Sequence, residues 1–257
     1  MKQLVVWLAA ILATVALTVL AFLPAAWLGP VVERQTGGRL TMGDAQGTLW
    51  RGSAFLGGAP GEGGAVTPLL PGRFVWRLSP LVLLGQVDVR LENPLALSQP
   101  VTIAGTWSQW QVSPAALLLP AEGLAGLGAP LNTLAPSGTM RLSWSALQLL
   151  RVGGGVAVEG RTVLSMTDMG SRMAPVKPLG SYEMAMDWHG QAAQLSLNTV
   201  RGALLLSGSG TLDHGRFRFS GDAQAAQGYE DTLGNLLNLL GQRRTVNGKK
   251  ITALEFK

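Results

Sequence analysis

The chain opens with an uninterrupted apolar segment, and the remaining sequence alternates apolar and polar residues over short stretches. Leu4–Leu23 contains eighteen apolar side chains among twenty, with Thr14 and Thr18 as the exceptions. At 1.5 Å per residue, this segment predicts a helix of about 30 Å, the thickness of a bilayer core. Because no second segment of this kind follows, the pattern predicts one membrane span with the rest of the chain on one side.

The length of this segment favours a retained anchor over a cleaved signal peptide. A signal peptide has an apolar core of about 7–15 residues and then a small-x-small cleavage site. The segment here is longer, and Leu23 stands where that cleavage site needs a small residue, whereas Trp27 suits the membrane–water boundary. Lys2 and the amino terminus favour a cytoplasmic N-terminus. We therefore expect residues 1–28 to form a cytoplasmic stub and anchor, and residues 29–257 to form a periplasmic domain.

Short alternating segments between Gly and Pro residues predict antiparallel strands with one apolar and one polar face. In Thr139–Ser145, Met140, Leu142 and Trp144 alternate with polar side chains. Several such strands with glycine-rich turns are typical of an all-β domain. The expected fold class is mainly β: one transmembrane helix, then an antiparallel, curved β-sheet domain with short helices and one C-terminal helix. The expected strands include 73–78, 86–91, 139–145, 181–188, 195–198, 216–219 and 251–256.

Glycine and proline clusters predict the loops between these strands. Gly57–Gly64 and Thr167–Gly180 are loops by composition, and Gly208–Gly210 predicts a turn. Tyr229–Leu240 places its leucines on one helical face, and Gly241 follows as a cap, so a late helix is expected there.

Three segments also resemble one another: 76–84, 110–118 and, more loosely, 141–150. In the first two, a tryptophan is followed by Ser-Pro and leucines. Ser is a good helix N-cap, and Pro at the first helical position gives up no hydrogen bond. Each segment therefore predicts a strand followed by one helical turn, with chance similarity in a leucine-rich chain as the alternative.

The distribution of charge argues against a nucleic-acid partner. The net charge is +5 with a pI near 10.1, yet residues 24–241 carry 14 Lys+Arg and 14 Asp+Glu. A basic C-terminal tail holds the excess, and such a tail is more often a solvated end, with anionic lipid or an acidic protein as its alternative partner. The absence of cysteine fits export and removes thiolate chemistry. The basic tail includes Arg243, Arg244, Lys249 and Lys250.

Few residues suggest catalysis. The two histidines, His189 and His214, fall where hairpin turns are expected. Pairing with Asp187 or Asp213 in a metal or acid–base site is the alternative to an ordinary role as turn residues. No nucleophile elbow or phosphate-binding loop occurs in the sequence. We therefore expect no enzymatic activity, no metal and no cofactor.

The eight tryptophans lie mostly on the apolar faces of the expected strands. Core packing is the favoured interpretation, because aromatic side chains bury large apolar areas. The alternative is an apolar groove or exposed sheet face that receives a lipid chain or a partner.

The segment 47–54, Gly-Thr-Leu-Trp-Arg-Gly-Ser-Ala, resembles a signature of type II secretion system protein N. Gly47, Trp50, Arg51 and Gly52 carry this resemblance. We expect Trp50 to lock the first strand onto the sheet as a core residue, with Arg51 facing outward. Further similarity lies at 71–76 with Trp76, at 178–182 with Pro178, Gly180 and Tyr182, at 202–210 and at 233–240.

This resemblance implies a bitopic inner-membrane protein with a periplasmic β-rich domain. Such a protein supports export of folded proteins through an outer-membrane secretin, without enzymatic activity. Its expected partners are other type II secretion components, in the inner-membrane platform or the secretin. The Gly-x-Leu-Trp-x-Gly pattern is also similar to AsmA-type proteins, whose anchored sheets form an apolar trough. Lipid binding or lipid transfer is therefore the alternative function, with membrane lipid as its partner.

Overall fold

An exposed apolar helix precedes one large antiparallel sheet in this computed structural model, which describes residues 2–61, 63–127, 135–246 and 249–256. Helix α1 spans Lys2–Ala21, and its hydrophobic stretch is long and apolar enough to cross a membrane. No part of that stretch is buried inside the fold, so the helix extends away from the sheet. A 3₁₀ turn at Ala25–Trp27 and helix α2 at Leu28–Gln35 then lead into the sheet.

In the described part of the chain, seventeen strands join this sheet. The first nine are β1 (Leu40–Gly47), β2 (Arg51–Gly58), β3 (Thr67–Pro68), β4 (Phe74–Leu78), β5 (Gln86–Glu92), β6 (Val101–Thr106), β7 (Gln109–Val112), β8 (Ala115–Pro120) and β9 (Pro136–Trp144). The others are β10 (Leu147–Val152), β11 (Gly155–Ser171), β12 (Gly180–Gly190), β13 (Ala192–Gly202), β14 (Leu204–Asp213), β15 (Arg216–Ala225), β16 (Gln242–Val246) and β17 (Lys249–Phe256). Helix α3 spans Gly234–Leu240.

The sheet is a long antiparallel meander. Strands β7 and β8 form one bent strand, as do β9 and β10, and the 17-residue β11 pairs with both β9 and β10 on one edge. Neighbours in the chain are neighbours in space from β1 to β15, apart from the short β3 beside the end of β2. The order reverses only at the end, where β17 pairs with β15 and β16 lies outside β17.

Cross-strand register gives the sheet one apolar face. Residues directly opposite each other point to the same side, and the pairing of β8, β9, β11, β12 and β13 aligns apolar side chains across all five strands. The other face is mainly polar and charged, as the half-buried strands predicted. The aligned residues are Leu117, Leu142, Leu164, Met184 and Leu197.

Loops and helices pack on the sheet in three clusters of buried residues. At the β17 end, Leu233, Leu236 and Leu237 from α3 and its preceding turn pack on a cluster that includes Phe219 and Leu254. Near β1 and β2, the 3₁₀ turn contributes buried Ala25 to a second cluster. A third cluster is formed by Leu70, Phe74, Ala96, Leu97, Val101 and Ala115.

The mainly β class, the curved antiparallel sheet and the late helix are confirmed. Three predictions about strand interruptions were wrong. The expected loop at Thr167–Gly180 begins only after Ser171, because β11 continues by pairing with β9. Gly208–Gly210 lies in β14 rather than in a turn. A Cβ at Gly208 would lie 2.5 Å from Cζ of Phe219, so glycine leaves room for this ring. Gly57 and Gly58 extend β2, because they pair with β1 and β3.

The repeat prediction fails for two of its three copies. Pro80–Leu84 does form a 3₁₀ turn, with Ser79 as its N-cap. The corresponding residues of the second and third segments belong to β8 and β10, because each finds a partner strand in the meander. The late helix is shorter than expected, starting at Gly234.

Candidate functional site: the anchor junction

The signature segment forms the turn between β1 and β2. The backbone N–H of Thr48 donates to Arg51 O at 2.8 Å, and Arg51 N–H donates to the Thr48 hydroxyl at 3.2 Å. Gly47 has a φ of +85°, and a Cβ there would lie 2.4 Å from Arg51 O. Both the conformation and the spacing therefore require glycine at this turn.

This turn is bonded to the end of the apolar helix. The Trp50 indole N–H donates to Leu20 O at 2.8 Å, and Leu49 N–H donates to Leu23 O at 2.7 Å. Thr48 also forms a β-bridge with Pro24. Carbonyl groups in the last turn of a helix have no partner within the helix. The signature therefore supplies donors to the exit of α1 and attaches this helix to the sheet. We call the contact between Leu20–Pro24 and Thr48–Trp50 the anchor junction.

Trp76 is the tryptophan that fills the core here. It is buried together with Ala25 and Ala54, and its indole N–H donates to Leu49 O at 3.0 Å. A Cβ on Gly52 would lie 2.4 Å from Trp76 Cζ2, so the missing side chain makes room for this ring. The structure thus brings Gly47, Trp50, Arg51, Gly52 and Trp76 into one site.

The expectation that Trp50 is a core residue was wrong. Its side chain is half-buried and contacts the end of α1, because it lies in the bend before β2 rather than on the apolar face of a strand. Arg51 is exposed on the polar face, as expected.

An arginine that sequence reasoning missed braces the same hairpin. Arg73 forms an ion pair with Asp44, donates to Ser53 Oγ at 2.9 Å, and lies 4.5 Å from the centroid of the Phe55 ring. Asp44 has a φ of +48° at an irregularity in the pairing of β1 and β2. In the sequence, Asp44 and Arg73 are 29 positions apart, and no motif or spacing predicts that they form a pair.

The other residues that carry the family resemblance, Pro178, Gly180 and Tyr182, lie at a separate site where β12 begins. A Cβ on Gly180 would lie 2.8 Å from both Arg201 O and the Tyr182 hydroxyl. Tyr182 is buried, and its hydroxyl donates to Leu204 O at 3.1 Å. Burial raises the pKa of the Tyr182 phenol to about 12. Pro178 is exposed in the segment leading into this strand. This group packs strands together and does not contact the anchor junction.

The basic C-terminal residues belong to paired strands. Arg243 and Arg244 lie in β16, and Lys249 and Lys250 in β17, because these segments pair with each other and β17 pairs with β15. Arg244 forms an ion pair with Glu255 at 3.3 Å.

The histidines lie at exposed strand ends and turns. His214 occupies the β14–β15 turn with a φ of +48°, and its Nδ1 lies 2.6 Å from Asp213 Oδ1. His189 is the penultimate residue of β12, and its Nδ1 lies 3.4 Å from Glu159 Oε2. Among the described residues, no three His, Asp or Glu side chains group as metal ligands. Each histidine therefore has one carboxylate partner in an exposed position.

These features define a class of protein: a large antiparallel sheet bonded to an N-terminal helix that is long and apolar enough to cross a membrane. A family model for type II secretion system (T2SS), protein N, matches residues 38–251. The chain therefore belongs to the type II secretion system protein N family. Comparisons with curated proteins and with solved structures find no match.

Proposed function

We propose that this protein is a non-enzymatic inner-membrane component of the type II secretion system. Its sheet domain lies in the periplasm and supports the passage of folded proteins through the outer-membrane secretin. The family match over residues 38–251 carries this proposal, because it covers almost the whole sheet. The partners proposed are other secretion components, in the inner-membrane platform or the secretin.

The anchor junction supports a retained anchor. Cleavage by a signal peptidase would remove the apolar helix and with it Leu20 O, which accepts the hydrogen bond from the Trp50 indole. A cut after Leu23 would also leave Pro24, which forms the β-bridge with Thr48, at a free chain end. A domain that uses the helix exit as part of its own hydrogen bonding is better explained by a permanent span. Lys2 on the short N-terminal flank favours a cytoplasmic N-terminus and a periplasmic sheet.

A secretion assay tests the proposal. In cells that carry the secretion system, deletion of this gene should retain secreted proteins in the periplasm. The full chain should restore their release, and so should a His189→Ala/His214→Ala double variant, because both histidines are exposed at the sheet end. A chain with Leu4–Leu23 replaced by a cleavable signal peptide should fail. Normal secretion by the deletion strain would refute the proposed role, and failure of the double variant while folded would refute the non-enzymatic part.

A further inference from the structure

An exposed apolar turn lies at the end of the sheet where the anchor joins. The 3₁₀ turn Pro80–Leu84, between β4 and β5, leaves Leu81, Leu83 and Leu84 exposed at 48, 50 and 80%. Beside it, the β6–β7 turn presents Trp107 at 55% exposure, and the Trp107 indole N–H donates to Val82 O. Three leucines and a tryptophan thus form a contiguous apolar surface, which we call the leucine turn. Single exposed apolar residues are ordinary, but a cluster marks an interaction surface.

The leucine turn is connected to the anchor by two hydrogen bonds, both made by Trp50. Leu78, two residues before the turn, donates from its N–H to Trp50 O at 2.8 Å. Trp50 in turn donates from its indole to Leu20 O in the last helical turn of α1. Because α1 leaves the sheet unburied, a bilayer around that helix brings lipid to this end of the sheet. The leucine turn therefore lies at the same end of the sheet as the helix that meets the membrane.

Charge on the neighbouring strands complements an anionic surface. Arg51, Arg77 and Arg90 lie directly opposite one another across β2, β4 and β5 on the polar face. Like charges in this position repel unless an anion offsets them. Arg90 pairs with Glu92 at 2.7 Å, whereas Arg51 and Arg77 are exposed and have no ion-pair partner among the described residues. Arg77 lies one residue from Leu78, just before the leucine turn.

We propose that the leucine turn is a second membrane contact, which seats the sheet on the surface of an anionic phospholipid bilayer. Leu81, Leu83, Leu84 and Trp107 insert at the boundary between headgroups and acyl chains, where apolar and tryptophan side chains are favoured. Arg51 and Arg77 bind lipid phosphates above them. The contact adds a second attachment to the one at the helix exit, and two attachments restrain the tilt of the sheet relative to the bilayer more than one does. This inference rests on the anchoring part of the proposed function.

Fluorescence quenching in vesicles tests this contact. Because the chain has no cysteine, Leu84→Cys in the full-length protein gives one site for an environment-sensitive fluorophore. The labelled protein is reconstituted into phosphatidylethanolamine–phosphatidylglycerol vesicles that contain nitroxide-labelled phospholipid. Leu95→Cys is the matched control, since Leu95 is 66% exposed in the loop after β5, at the opposite end of that strand. With insertion of about 5–10 Å, the probe at 84 should be quenched at least about twofold more than the probe at 95.

Two further variants separate insertion from mere proximity to the anchor. Leu81→Glu in the Leu84→Cys background should abolish the extra quenching, although α1 still anchors the protein. Arg77→Gln, or replacement of phosphatidylglycerol by phosphatidylcholine, should reduce it. Equal quenching at 84 and 95, or quenching that Leu81→Glu leaves unchanged, would overturn the proposal. The proposal would also be overturned if the probe at position 84 left the aqueous phase only when other secretion components were added, because the occupant would then be a protein. The vesicles contain no secretion machinery, so this result stands apart from the secretion assay.

Discussion

The Trp50 indole nitrogen and the Leu20 carbonyl oxygen lie 2.8 Å apart, joined by a hydrogen bond that links the sheet to the last turn of the apolar helix. The two residues are 30 positions apart in the chain. With the neighbouring bond from Leu49 N–H to Leu23 O, this contact gives two donors from one turn to the exit of the helix. The signature segment itself therefore holds the sheet against the end of this helix.

Trp50→Phe should weaken this attachment. The change removes the indole donor and leaves Leu20 O without its partner, which should cost roughly 1 kcal/mol. Trp27→Phe is the matched control, because Trp27 is also near the helix exit but is exposed. Denaturant unfolding of the detergent-solubilised full chain, followed by circular dichroism, measures both. An equal effect of the two substitutions would mean that the Trp50 bond contributes nothing to stability.

Gly52→Ala should destabilise the junction through its side chain alone. A Cβ at this position would lie 2.4 Å from Trp76 Cζ2 and 2.8 Å from Thr48 O, so a buried ring or the turn must move. Overpacking of this kind typically costs about 1–3 kcal/mol. Gly43→Ala in the adjacent strand is the control, because its Cβ would meet nothing within 4 Å and should change stability by less than about 0.5 kcal/mol.

The melting temperatures of the two alanine variants provide the comparison. Gly52→Ala should melt below the parent, whereas Gly43→Ala should match it. A Gly52→Ala variant as stable as Gly43→Ala would show that Trp76 relaxes without cost, and that the glycine is not needed for packing.

Local patterns could predict the strands but not their pairing. The alternation in Thr139–Ser145 identifies a strand with one apolar face, and β9 confirms it. The glycines at 208–210 looked like a turn because sequence shows only their flexibility. In the structure these glycines lie against the Phe219 ring on the neighbouring strand, where a Cβ would crowd the ring. Such a contact depends on cross-strand register, which no local pattern contains.

The candidate site was predictable only in part, for the same reason. The resemblance grouped Gly47, Trp50, Arg51 and Gly52, and their proximity follows from sequence alone. The roles of the two tryptophans were not predictable, because Trp50 and Trp76 are both aromatic residues beside β-strands. Their surroundings differ only after folding: Trp76 is buried in a cluster and Trp50 contacts the helix end.

Leu233→Ala should loosen the end of the apolar face that α3 covers. Leu233 is fully buried in a cluster with Phe219 and Leu254. Deletion of a buried leucine side chain typically costs about 2–5 kcal/mol. Leu95→Ala, at an exposed leucine, is the control and should have little effect. Urea unfolding midpoints of the two variants decide the matter. A Leu233→Ala midpoint equal to that of Leu95→Ala would show that α3 does not stabilise the sheet.

Tyr182 should make the fold sensitive to alkaline pH. Its phenol has a pKa of about 12 in the folded protein, because burial disfavours the phenolate, whereas the unfolded chain titrates near the ordinary value of 10.0. Stability should therefore be independent of this group below pH 10. Between pH 10 and 12, the unfolded state releases a proton that the folded state retains, so the free energy of unfolding should fall. Two pKa units correspond to roughly 2–3 kcal/mol.

Comparison of two phenylalanine variants isolates this effect from other groups that titrate at alkaline pH. Tyr182→Phe loses the hydrogen bond to Leu204 O and should be less stable at neutral pH by about 1 kcal/mol. Its stability should then fall less steeply than that of the parent between pH 10 and 12, because no phenol remains there to titrate. Tyr229→Phe is the control, since Tyr229 is 41% exposed and is the other tyrosine of the chain. It should keep the parental slope. Parallel curves for Tyr182→Phe and the parent would show that the Tyr182 phenol is accessible to water in the folded protein.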